Sequence, residues 1–122
     1  MDYDLTVSDD GTYLEIRVFR PITGEMARRF AGDAIKEGHK RDIRRFLVDA
    51  RGNRNVSSVI EQYRLGNEDM AQFELHRLSK IAVVVDEGDT SHDFVETVFR
   101  NAGYACSMFS DKFAALGWLG NK

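Results

Sequence analysis

At 122 residues the chain has the length of one domain with a single core and is too short for two. Hydrophobic residues at 43% and charged residues at 30% exclude a disordered chain, and no apolar run approaches the roughly 20 residues that span a bilayer. A net charge of −3 argues against a nucleic-acid partner. The acidic opening Met1-Asp2-Tyr3-Asp4 lacks the basic and apolar regions of a signal peptide, which predicts a cytoplasmic location without stable membrane insertion. Cys106 is the single cysteine, so no internal disulfide forms and one chain cannot assemble a thiolate metal cluster. The charge is uneven: residues 20–54 carry ten bases against five acids. Asp33, Glu37, Asp42 and Asp49 are interleaved with those bases, as on an ordinary solvated helix face.

Taken in chain order, Tyr3 to Ser8 alternates, Asp9-Asp10-Gly11-Thr12 turns, and Tyr13 to Arg20 alternates again with Leu14, Ile16 and Val18 on one face. That pattern predicts a β-hairpin with one solvated side. Pro21 stops the second strand, and Thr23 is the expected N-cap of a helix to about Gly38 with Ala27, Phe30, Ala31, Ala34 and Ile35 on its buried stripe. Phe46-Leu47-Val48 and Ile81-Ala82-Val83-Val84-Val85 are continuous apolar runs, the mark of strands covered on both faces in a parallel sheet.

Between those runs Val59, Tyr63, Gly66, Met70 and Phe73 recur at steps of three and four. They predict one helix from Ser57 to Leu75, with Gly66 on its buried face as a close-packing point. Thr90 or Ser91 is expected to cap a helix carrying Phe94, Val95, Val98, Phe99 and Ala102, closed by Gly103. Tyr104 to Phe109 reads as the last strand. Ser110 would then cap a final helix burying Phe113, Leu116 and Leu119 and ending at Gly120. The order β-β-α-β-α-β-α-β-α gives an α/β domain, an N-terminal antiparallel hairpin continued by βα crossovers into a mostly parallel sheet.

In such sheets ligands and partners meet the loops at the carboxyl ends of the strands. The loop after the third strand holds the candidate partner- or anion-binding residues Asp49, Arg51, Gly52, Asn53, Arg54, Ser57 and Ser58. Two guanidinium groups, a glycine and a helix N-terminus together suit a phosphate, a carboxylate or an acidic protein loop. Helix capping by Ser57 or Ser58, with Asp49 paired to an arginine, explains the same residues without a ligand. The loop Asp86-Glu87-Gly88-Asp89-Thr90-Ser91-His92-Asp93 is acidic but lacks the spacing of a calcium loop. Ser91, His92 and Asp93 are consecutive and cannot converge as a triad. His39, His76 and His92 lack metal-ligand spacing and read as surface or capping residues, and Cys106 reads as a buried core residue. No phosphate-binding or dinucleotide-binding glycine motif occurs, and no cofactor is expected.

Four segments in order, Arg45-Phe46-Leu47-Val48-Asp49-Ala50-Arg51-Gly52, Lys80 to Asp86, Phe94 to Gly103, and Phe109-Ser110-Asp111 leading to Ala115-Leu116-Gly117-Trp118-Leu119, resemble the STAS superfamily. Within it the chain is most similar to small stand-alone bacterial SpoIIAA-like proteins of unassigned function, and the likeness covers nearly its whole length. In the sigma-regulating members of that superfamily a strand-end aspartate precedes a serine that a kinase phosphorylates, in the context D-S-x-G. Asp49 and Gly52 hold the flanking places here, and Ala50 stands where the serine would be. The resemblance therefore implies a binding or regulatory module whose phosphorylation switch is missing.

With no assembled catalytic set, the expectation is a non-catalytic module. It would bind a protein partner through the loop from Asp49 to Ser58 and the face of the next helix, and a homodimer is left open. The alternative is a carrier for a small amphipathic anion or lipid-like ligand, its pocket lined by some of the eight Phe and four Tyr. A receiver-type phosphoacceptor at Asp49 is a distant third, because the acidic pair that would hold Mg²⁺ after the first strand is absent.

Overall fold

The computed structural model describes residues 1–120. Five strands, β1 (Tyr3–Val7), β2 (Leu14–Val18), β3 (Arg45–Asp49), β4 (Lys80–Val84) and β5 (Ala105–Phe109), form one sheet in the order β1-β2-β3-β4-β5. β1 pairs antiparallel with β2, and the remaining pairings are parallel. The α/β reading of the sequence holds.

Helix α1 (Gly24–Arg41) opens at Thr23, whose hydroxyl accepts the Met26 amide as expected. It runs one turn past Gly38 because that glycine is buried rather than terminal. A Cβ there would lie 2.7 Å from the Ile43 carbonyl, so only hydrogen lets the returning chain close on the helix. Asp42, at φ 57°, ends the helix instead.

The helix expected from Ser57 to Leu75 is present as three consecutive pieces: α2 (Val59–Arg64), a π-helical turn (Leu65–Asp69) and α3 (Met70–Gln72). Ser58 caps it through a capping box with Glu61. It stops before Leu75 because Glu74 adopts φ 61°, and the Leu75 amide returns to Met70 and that of Glu74 to Ala71, closing a Schellman motif on a non-glycine residue. Gly66 packs as expected: a Cβ would sit 2.6 Å from Val98 Cγ1 and 3.1 Å from Phe99 Cδ1. Helix α4 (Asp93–Asn101) begins later than either expected cap. His92 occupies the cap position without a side-chain bond, and the Ser91 hydroxyl turns to Asp89. Its end follows the sequence, with Gly103 at φ 95° in a Schellman motif made by the Tyr104 and Gly103 amides. In α5 (Lys112–Gly120) the Asp111 carboxylate, not Ser110, accepts the Phe113 amide.

Two cores follow from the alternation of strand side chains. Leu14, Ile16, Val18, Phe46, Val48, Val83 and Cys106 point to the face covered by α1, the π turn and α4. Leu47, Ala82 and Val84 point to the other, where Ala115 and Leu119 of α5 meet them. The expectation for Phe113 fails: it is 85% exposed, since the α5 face toward β3 and β4 carries Ala115 and Leu119. His92 is buried rather than at the surface.

Candidate functional site

The carboxyl ends of β3 and β4 bring two loops together, residues 50–58 and 85–92. The first is tied to the chain before α1 by the Ile22 amide on the Arg54 carbonyl and the Val56 amide on the Ile22 carbonyl, both at 2.8 Å. The second meets it through the Asp86 carboxylate, which accepts the Gly52 amide at 2.7 Å, and through Ser91, whose hydroxyl accepts the Asn55 amide at 2.9 Å. A basic loop and an acidic loop thus lock together at the carboxyl ends of these two central strands.

Each candidate residue has a defined place. Asp49, 5% exposed at the end of β3, receives Arg51 in a bidentate pair, Nε at 2.9 Å and Nη2 at 2.7 Å. Gly52, at φ 82°, is in the left-handed region that frees its amide for Asp86. Asn53 donates from its side chain to the Val18 carbonyl at 3.1 Å, and its own carbonyl lies 3.2 Å from His92 Nε2. Arg54 stands 3.4 Å from Asp89. Ser57 donates its hydroxyl to Asn55, and Ser58 caps α2.

The loop residues are therefore together, and the chain itself supplies carboxylates to the guanidinium and amide groups: Asp49, Asp86 and Asp89. The contribution of the second loop was not singled out from sequence. Its signal was the acidic stretch 86–93 following a parallel strand next to the basic one. Ala50 is fully buried.

The Arg51 guanidinium, through its hydrogen bond, holds the Asp49 carboxyl below the usual carboxylate range against the opposing effect of burial. A depressed folded-state value means that the pair stabilises above the unfolded value, near pH 4, and that this is lost as pH falls through the folded value. Arg51 is half-exposed and screened, so the contribution is about 0.5–1 kcal/mol. Asp49→Asn is expected to lower stability by that amount at pH 7 and to flatten the loss as pH falls below about 4, as read by urea denaturation across pH. An unchanged acid limb would show that the pair contributes nothing.

Nucleophilic chemistry is poorly served here. Burial pushes the Cys106 thiol up to about 12, and His92 Nε2, 2% exposed as a residue, lies between the Asn53 carbonyl and Asp89 Oδ2 at 3.5 Å. No helix among the described residues is long and apolar enough to cross a membrane.

Beyond the loop, α2 presents an apolar stripe to solvent. Val59, Ile60 and Tyr63 are 64%, 62% and 55% exposed and share one helical face, and Val56, in the loop just before the helix, is 58% exposed. The sequence pattern placed Val59 and Tyr63 in the core, but the core-facing side of this segment is made by Gln62, Gly66 and Met70. Between the sheet and the helices lies an apolar cavity of about 90 Å³, lined by residues such as Ile16, Phe30, Phe46, Met70 and Phe99, with Asn55 and His92 the polar groups on its wall.

No protein-family model and no curated protein matches the sequence. Among solved structures, the chain is similar to an uncharacterised protein of the DUF3478 family with a SpoIIAA-like fold from Shewanella loihica PV-4. The two share 19% identity at a TM-score of 0.58, covering 96% of this chain and 91% of that one. The fold is SpoIIAA-like.

Proposed function

We propose that this chain is a non-catalytic binding module that engages a protein partner through α2 and the loop from Asp49 to Ser58. The observation that supports this reading most is the exposed stripe of Val56, Val59, Ile60 and Tyr63. Three large apolar side chains on one solvated helix face, with Val56 in the loop just before it, cost solvation that a closed partner surface would recover, at about 25 cal/mol per Å². Arg51 and Arg54 border the stripe in sequence. Engaged with Asp49 and Asp89, they contribute orientation and association rate more than affinity.

Affinity capture from native cells at physiological salt tests the reading. Ile60→Ser with Tyr63→Ser is expected to weaken recovery of a partner at least about tenfold, whereas Arg51→Ala with Arg54→Ala produces a smaller, salt-dependent loss. A partner set unchanged by both double variants would remove the surface from consideration.

The apolar cavity favours a second reading, a carrier for a small amphipathic anion. At about 90 Å³ it is smaller than the ~150 Å³ cavity known to take benzene, so a lipid-sized ligand requires the helices to move off the sheet. Native mass spectrometry of the same captured protein separates the two. Mass retained beyond the polypeptide, displaced by a lipid-like anion, supports the carrier, and a bare chain that still captures its partner supports the binding module.

A further inference from the structure

The two edges of the sheet are treated differently. At β5 two of the outward groups are occupied by side chains of α4: Arg100 Nε donates to the Cys106 carbonyl at 2.8 Å, and the Met108 amide donates to Glu96 Oε2 at 2.9 Å. Those two side chains stop further strand addition there, a common device for protecting an edge. At β1 there is no such cover. The Phe19 amide on the Asp2 carbonyl and the Ser8 amide on the Tyr13 carbonyl place the hydrogen-bonded pairs at the even positions of β1. Asp4 and Thr6 therefore bond to β2, and the amides and carbonyls of Tyr3, Leu5 and Val7 point away from the sheet. Among the described residues none of these outward groups has a hydrogen-bond partner. The strand holds no proline or lysine, and its pairing with β2 runs one to one without a bulge.

We infer that β1 pairs antiparallel with β1 of a second copy of this chain, making one continuous sheet across a two-fold axis at Leu5. The strand's own chemistry selects the occupant and the register. Centred on Leu5, Tyr3 faces Val7 of the second copy and Leu5 faces its equivalent, so all three outward residues are matched by about six backbone hydrogen bonds, two for each facing pair. The half-buried side chains of Tyr3, Leu5 and Val7 meet the same set from the partner and extend the core beneath α1. On the other face Asp4 lies opposite Thr6 of the second copy, a carboxylate against a hydroxyl. Shifting the axis to Asp4 would set two carboxylates directly opposite each other, and like charges in that position destabilise a pair. A five-residue pairing is small beside a standard interface of about 800 Å² per partner, so the contact is a reversible, concentration-dependent one. It does not use α2 and is independent of the surface assigned to a protein partner.

The register makes charge substitutions at Thr6 diagnostic, because each dimer contains two Asp4–Thr6 pairs. Sedimentation equilibrium of the whole chain, in a concentration series reaching the millimolar range, should show monomer and dimer. Thr6→Asp should raise the dissociation constant about threefold to tenfold, and Thr6→Lys should lower it by a similar factor, an effect that shrinks with added salt. Leu5→Pro removes an outward amide while leaving the ladder to β2 intact, and should abolish the dimer. If the Leu5→Pro chain does not fold, the opposed Thr6 pair still decides the matter. A chain that stays monomeric throughout overturns the inference. So does a dimer that ignores both Thr6 variants, and a dimer dissolved instead by Ile60→Ser with Tyr63→Ser would assign self-association to α2.

Discussion

Replacing Leu119 by alanine is expected to destabilise the protein by about 2–4 kcal/mol, while replacing Phe113 on the same helix changes stability by less than about 0.5 kcal/mol. Leu119 is 2% exposed and lies with Ala115 against Leu47, Ala82 and Val84, and α5 supplies the buried cover of this sheet face. Removing its side chain leaves a void over β3 and β4 that small neighbours such as Ala115 and Ala82 cannot fill. Phe113 is 85% exposed and forfeits almost no burial. Urea denaturation of the two variants checks both values, and equal losses would mean that α5 sits on the sheet by a different face.

Gly66→Ala is expected to cost about 1–3 kcal/mol even though alanine is the better helix former by about 1 kcal/mol. The new Cβ would meet Val98 Cγ1 at 2.6 Å and Phe99 Cδ1 at 3.1 Å, and both side chains are buried in α4 with little room to retreat. The π turn would have to move off α4. Gly32→Ala provides the control: its Cβ would come no closer than 3.4 Å to the Phe73 ring, so propensity wins and stability rises by up to about 1 kcal/mol. Thermal and urea unfolding of the pair should therefore move in opposite directions. A neutral Gly66→Ala would show that the π turn and α4 are not held in rigid contact.

Most of the strand and helix order was legible because it is written in local periodicity. The hairpin alternates at Leu14, Ile16 and Val18, the runs at 46–48 and 81–85 are apolar without alternation, and Thr23, Ser58 and Gly103 carry capping chemistry that acts within a few residues. The candidate loop was legible for the same reason, as a glycine and two arginines between a buried strand and a capped helix. Its carboxylate partners were not. Asp86 and Asp89 lie more than thirty residues from Gly52 and Arg54, and only the parallel pairing of β3 with β4 sets their loops side by side.

By itself, then, the sequence determined the element types, the caps at Thr23, Ser58 and Gly103, the close approach at Gly66 and the SpoIIAA-like resemblance. The tertiary structure decided which apolar residues are core. Val59, Tyr63 and Phe113 satisfy a helical spacing as well as Met70 and Leu119 do, because periodicity marks a stripe without saying whether anything covers it. Coverage depends on where neighbouring elements pack: Gly66 draws its segment onto α4 along a line that leaves Val59 and Tyr63 in solvent, and Leu119 rather than Phe113 falls over β4. The free edge of β1 was also a tertiary decision, since a strand has an open side only once the sheet order has placed it last.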